Sequence, residues 1–204
     1  MILSELARAA AGLDDAAFAR KYPHAALIFV TRFEAPSKEA PKVDTPGRGI
    51  VAAAVFGKAT GSFGSTTDSF PALEDLGNTP SPDHPPPGTE LRGSAPVVFL
   101  EKSKRNPFAS MITIGRAPNN DVCVPLPTIS KVHAYLVESG GAWKLYDQNA
   151  TNGTFLDQQR LAANGSAALV DGARVGFGPE AKARFFTPVG LHGFLALFRA
   201  GVAV

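Results

Sequence analysis

Between Val97 and Thr187 short apolar or β-branched runs alternate with turn signals, and this rhythm constrains the fold more than any other feature. The runs are Val97–Leu100, Met111–Ile114, Val122–Val124, Ala134–Val137, Trp143–Asp147, Thr154–Leu156, Ala167–Val170, Arg174–Phe177 and Ala183–Thr187. Between them stand Pro118-Asn119-Asn120, Gly140-Gly141, Asn152-Gly153, Asn164-Gly165 and Asp171-Gly172. Asn, Asp and Gly tolerate the positive φ that tight hairpin turns demand. Runs this short are strands rather than helices, and many of them at close spacing predict a mainly β protein, an antiparallel sandwich over residues 95–188.

The flanks read differently. Leu191, Phe194, Leu195 and Phe198 stand at i, i+3, i+4 and i+7, which predicts a short amphipathic C-terminal helix within 189–204. Residues 60–94 hold Pro71, Pro80, Pro82, Pro85, Pro86 and Pro87 among many Gly, Ser and Thr, with little to bury, and predict a flexible linker. Residues 1–59 predict a small α/β segment. Two helical pieces lie over 3–22, with Asp14 as N-cap, Leu13 and Phe18 as a hydrophobic staple and Pro23 as the stop. Ala25–Val30 and Ile50–Phe56 follow as strands. So small a set makes a weak core and is expected to lean on the C-terminal domain.

Composition narrows the function. The chain has 204 residues, 45% of them apolar, enough for a real core. Net charge is only +2, which argues against a general nucleic-acid binder. Residues 1–90 hold 8 Lys/Arg against 11 Asp/Glu, a balance of −3, and residues 91–204 hold 12 against 7, a balance of +5. The second half therefore favours an anionic ligand. Cys123 is the single cysteine, so neither an internal disulfide nor a cysteine-based zinc site can form. No metal or other cofactor is expected. The N-terminus lacks the form of a signal peptide, and no apolar run approaches the ~18 residues that span a bilayer, so a soluble, cytoplasmic protein is expected.

Three segments carry the chemistry, and all fall between predicted strands. They are Gly115-Arg116, Ser130-Lys131-Val132-His133, and Asp147-Gln148-Asn149-Ala150-Thr151-Asn152-Gly153-Thr154. Together they offer an Arg, a Lys, hydroxyls and an Asn amide. Brought to one end of a sandwich, they would form an anion site. A phosphate presents several acceptor oxygens and a charge of about −1.5 to −2, and a guanidinium can bond two of those oxygens at once. Spacing alone does not establish that convergence. Other readings fail. Ser130, His133 and Asp147 suggest a catalytic triad, but Ser130 and His133 are too close in sequence and no nucleophile elbow surrounds the Ser. Gly57-Lys58-Ala59 resembles half of a phosphate-binding loop, yet Ala52 and Ala59 stand where Gly and Ser/Thr are required. No catalytic constellation emerges, and no enzymatic activity is expected. Trp143 reads as a core anchor, and Lys102, Lys104 and Arg105 as a solvated face.

The ordered set resembles the forkhead-associated (FHA) domain family over about residues 95–187. Ile112-Thr113-Ile114-Gly115-Arg116 and Asn120-Asp121-Val122 resemble its opening strand and turn, Ser130-x-x-His133 its second motif, and Leu145-x-Asp147 through Thr151-Asn152-Gly153-Thr154 its third. The resemblance implies a β-sandwich whose loops at one end grip phosphothreonine. It implies that Arg116 and Ser130 contact the phosphate, that Lys131 assists, and that Thr151 and Asn152 touch phosphate and peptide backbone. Gly115, His133 and Gly153 would shape the loops, with His133 bracing the Ser130 loop from inside. Two departures bear on that bracing: Ala150 stands where the family often has Ser, and Asp157 where a second Asn is common.

The implied role is a phosphothreonine-peptide-binding signalling adaptor. Its partners would be phosphothreonine-containing proteins, a Ser/Thr kinase or its substrates among them, with no nucleic acid and no membrane. The alternative is a phosphate-independent FHA scaffold that assembles a larger complex. Thr66 and Thr67, in Ser65-Thr66-Thr67-Asp68, are candidate phosphoacceptors, since the segment resembles the phosphorylated tails of small FHA regulators that fold back on their own site.

Overall fold

The computed structural model describes residues 1–30 and 91–201. The expected strand at Ile50–Phe56, nearly all of the 60–94 linker, and Thr66 and Thr67 lie outside the described residues. The elements run α1 (Leu3–Ala9), α2 (Asp15–Lys21), β1 (Ala26–Phe29), β2 (Val97–Phe99), β3 (Ile112–Gly115), β4 (Val122–Cys123), β5 (Ala134–Ser139), β6 (Ala142–Asp147), β7 (Thr154–Leu156), β8 (Gln159–Arg160), β9 (Ser166–Leu169), β10 (Arg174–Phe177), β11 (Ala181–Phe186) and α3 (Pro188–Arg199).

The strands form two sheets. One has the order β2-β1-β11-β10-β7-β8, the other β4-β3-β5-β6-β9. Pairing is antiparallel except between β3 and β4, which run parallel through Ile114↔Val122 and Gly115↔Cys123. Apolar side chains from both sheets interleave in one core, with Leu27, Phe29, Ile114, Leu136, Leu145, Val175, Phe177 and Phe185 among its members. Full burial of a side chain of this size stabilises by about 1.5–3 kcal/mol.

The described part of the N-terminal segment, residues 1–30, contributes a strand to the sandwich. Strand β1 comes from the N-terminal segment, yet it lies between β2 and β11, pairing Leu27 with Val98 and with Phe185. Its two faces serve two cores. Leu27 and Phe29 enter the sandwich, whereas Ala26 and Ile28 join a second cluster with Leu3, Leu6, Phe18, Phe186, Leu191 and Leu195. A strand covered on both faces must be apolar without alternation, which explains the run Ala-Leu-Ile-Phe.

The second cluster holds the three helices against the outer face of the six-stranded sheet. Asp14 caps α2 by accepting the Ala17 N–H at 2.7 Å, as its position predicts, and Leu13 packs in the same cluster as Phe18. Helix α3 begins at Pro188 behind the N-cap Thr187 and buries Leu191, Phe194 and Leu195 from the predicted stripe. His192 bonds Asp15 at 2.6 Å and stacks on Phe18 with ring centroids 4.7 Å apart, while an Arg199 terminal nitrogen donates to the Ala7 carbonyl at 3.1 Å. The two chain ends are thus bound to each other. Among the described residues no helix is long and apolar enough to cross a membrane.

Candidate functional site: a loop-borne anion cradle

The site is built where β3, β5 and β6 leave their sheet. At the end of β3, Gly115 sits so close to the next loop that an added Cβ would lie 2.4 Å from the Lys131 carbonyl oxygen. Only glycine permits that approach, and it lets two backbone bonds join the loops. Arg116 N–H donates to the Ser130 carbonyl at 2.9 Å, and Ala117 N–H to the Lys131 carbonyl at 3.1 Å. Asn120, buried, adds a side-chain brace by donating to the same Lys131 carbonyl at 2.7 Å and to that of Ala117 at 2.8 Å.

The third loop joins through Ser130 and Asn152. The Ser130 hydroxyl oxygen accepts the Thr151 N–H at 3.2 Å, and Asn152 Nδ2 donates to the Thr128 carbonyl at 2.7 Å. Beneath them lies His133, fully buried. Its Nδ1 accepts the Ser130 N–H at 3.2 Å, and Nε2 faces the Gly153 carbonyl at 3.1 Å. A carbonyl only accepts, so Nε2 carries the proton and the ring is the neutral tautomer. Burial lowers its pKa below the usual 6.5, opposed by the Gly153 bond and the charge of Asp147. One imidazole therefore ties two loops together from inside.

Asp147 organises the third loop. Its carboxylate accepts the Thr154 hydroxyl at 2.6 Å and the Ala150 and Asn164 N–H groups at 3.3 and 3.4 Å. The two departures from the family pattern find local solutions. Ala150 is buried and uses its backbone N–H on Asp147. Asp157 (φ 47°) and Gln158 (φ 71°) form a tight turn into β8, and the Asp157 carboxylate accepts the Arg174 N–H at 2.9 Å.

The arrangement separates two kinds of residue. Gly115, His133 and Gly153 are buried, whereas Arg116, Lys131, Thr151 and Asn152 are exposed and Ser130 is half-buried between them. Arg116 spends Nε on the Ile129 carbonyl at 3.1 Å, which anchors the guanidinium. Among the described residues neither Arg116 nor Lys131 has a carboxylate partner. Two cations, a hydroxyl and an amide thus stand on loops joined by hydrogen bonds, and no carboxylate among the described residues neutralises the cations. The convergence that spacing could not establish is present.

Sequence reasoning missed some supports and misread one cluster. Asn120 and Thr128 carry loop-to-loop bonds, and only the Asn120-Asp121 turn carried a signal. Lys102 is not part of a solvated face: it forms an ion pair with Asp121 at 2.9 Å, while Lys104 and Arg105 remain exposed. Burial by itself would raise the Asp121 carboxyl. Hydrogen bonds from the Thr113 backbone, Ser103, Asn106 and Lys102 outweigh it and hold the group well below the usual carboxylate range. Trp143 is half-buried at the edge of the core, its ring 5.7 Å from that of Phe185. Strand β8, two residues long, left no periodic signal.

Fold and site together define a β-sandwich that presents a cationic cradle on loops at one end. Residues 112–178 match the family model of the FHA domain. The ABC transporter ATP-binding/permease protein Rv1747 of Mycobacterium tuberculosis is 39% identical over 67 residues, which is 33% of this chain and 7% of that protein. Among solved structures, Mycobacterium tuberculosis EmbR in complex with a low-affinity phosphopeptide is 24% identical, with a TM-score of 0.36, over 39% of this chain and 20% of EmbR. The FhaA FHA domain complexed with the intracellular domain of Rv3910 is 22% identical, with a TM-score of 0.38, over 46% of this chain and 91% of that one. An FHA domain of Arabidopsis thaliana is 22% identical, with a TM-score of 0.39, over 45% and 74%. At these scores the assignment rests on the match over 112–178. The chain spans only a small part of the curated relative it matches.

Proposed function

We propose that this chain is a non-catalytic adaptor that docks partner proteins phosphorylated on threonine by Ser/Thr kinases. The observation that carries the reading is the pair of exposed cations Arg116 and Lys131, without a carboxylate partner among the described residues, beside the Ser130 hydroxyl and the Asn152 amide. A phosphate dianion supplies what the set lacks, namely charge and acceptor oxygens. Arg116 and Ser130 hold the phosphate, Lys131 adds charge, and Thr151 and Asn152 meet phosphate and peptide backbone. Because the loops are already hydrogen-bonded to one another, little ordering remains to be done on binding, which favours affinity. A charge-assisted bond contributes about 1.5–3 kcal/mol, and after the cost of ordering the peptide a Kd near micromolar, about −8 kcal/mol, is expected.

The test is calorimetry of the full chain with a phosphothreonine peptide. Arg116→Ala is expected to abolish binding while the circular-dichroism spectrum stays unchanged. Unaltered affinity sinks the reading. Partner proteins captured without phosphate, and retained by Arg116→Ala, favour a phosphate-independent scaffold instead.

A further inference from the structure

Strand β8 places a third cation beside the cradle. Arg160 is exposed, and an added Cβ on Gly153 would lie 2.4 Å from its Nε, 2.9 Å from Cζ and 3.0 Å from a terminal nitrogen. The guanidinium therefore lies against the bare backbone of Gly153 (φ 75°), the residue directly after Asn152. Among the described residues it has no carboxylate partner. The Gly153 carbonyl is occupied, facing His133 Nε2 at 3.1 Å and accepting the Gly178 N–H at 2.9 Å, so the backbone under the guanidinium is held in place.

We infer that Arg160 reads an acidic side chain of the docked peptide, a specificity subsite distinct from the phosphate contacts. The inference rests on the phosphothreonine reading above. Gly153 is two residues beyond Thr151, whose amide is bonded to the Ser130 hydroxyl. Two Cα steps span at most about 7.6 Å, and an extended peptide advances about 3.3 Å per residue. The guanidinium thus lies within about three residues of a phosphothreonine held at Ser130. That reach covers the residues flanking the phosphothreonine, where the planar fork of a guanidinium suits a carboxylate.

The experiment titrates the full chain with phosphothreonine peptides in which each flanking position in turn is Asp, against the same peptide flanked by Ala, with unphosphorylated copies as controls. One position is expected to bind about threefold to fivefold tighter as Asp than as Ala, the range of an exposed ion pair. Arg160→Gln brings that ratio to unity, and Arg160→Glu makes the same position prefer Lys, an inversion that misfolding cannot produce. An Asp/Ala ratio that persists in both variants overturns the inference, as does a uniform loss of affinity for every phosphopeptide with the ratio intact. Equal binding of phosphorylated and unphosphorylated peptides by the unsubstituted chain is a different failure: it removes the phosphothreonine reading, and the subsite with it.

Discussion

His133 shows how one buried side chain decides the shape of a binding loop. It accepts from Ser130 and donates to Gly153, so its neutral form is part of the fold. In the unfolded chain the imidazole takes up its proton near pH 6.5, and burial pushes that uptake lower in the folded state. Between the two values the unfolded state binds more protons. Stability contributed by the neutral ring is therefore complete above about pH 6.5 and falls as the pH drops below it. Urea denaturation midpoints are expected to fall between about pH 7.5 and about pH 5.5, and His133→Gln should flatten that slope while lowering the midpoint throughout. An identical slope in the variant would refute the assignment. At the same scale, the motif residues were legible because glycine, histidine and arginine have distinctive chemistry. Asn120 was not legible as a brace, since an asparagine in a turn has an ordinary local explanation.

Helix α3 is the element in which sequence and packing agree best. Its apolar stripe follows from 3.6-residue periodicity, and the stripe meets the Leu3, Leu6 and Phe18 side chains of α1 and α2. Leu195 is fully buried there. Leu195→Ala is expected to cost about 2–5 kcal/mol, read as a lowered denaturation midpoint, with phosphopeptide affinity retained at temperatures where the variant is folded. A loss under about 0.5 kcal/mol would show that the helix is dispensable to the core. Strand β8 is the opposite case. Two residues cannot display a period, and its position is set by the Asp157-Gln158 turn and by pairing of Phe155 with Arg160. Arg160, which that turn carries back to Gly153, therefore carried no signal in the sequence.

At the scale of the molecule, β1 joins regions far apart in the chain. It supplies Leu27 and Phe29 to the sandwich and Ala26 and Ile28 to the helical cluster, and it separates β2 from β11. A fragment beginning at residue 91 lacks all of these groups. At about 1.5–3 kcal/mol per large buried side chain, the loss rivals the 5–15 kcal/mol by which a domain is stable. Residues 91–204 alone are expected to give a poorly dispersed amide spectrum and no cooperative melting, and adding a peptide of residues 1–30 should restore both. A cooperatively folded fragment would contradict this. The sequence by itself determined the kinds of elements, the β-sandwich class and the residues able to bind an anion, because periodicity, turn chemistry and side-chain charge are local properties. Only the tertiary structure decided that β1 belongs inside the sandwich, that Lys102 is tied to Asp121, and that Arg160 lies against Gly153. Those outcomes depend on which distant surfaces meet, and no short window of residues records that.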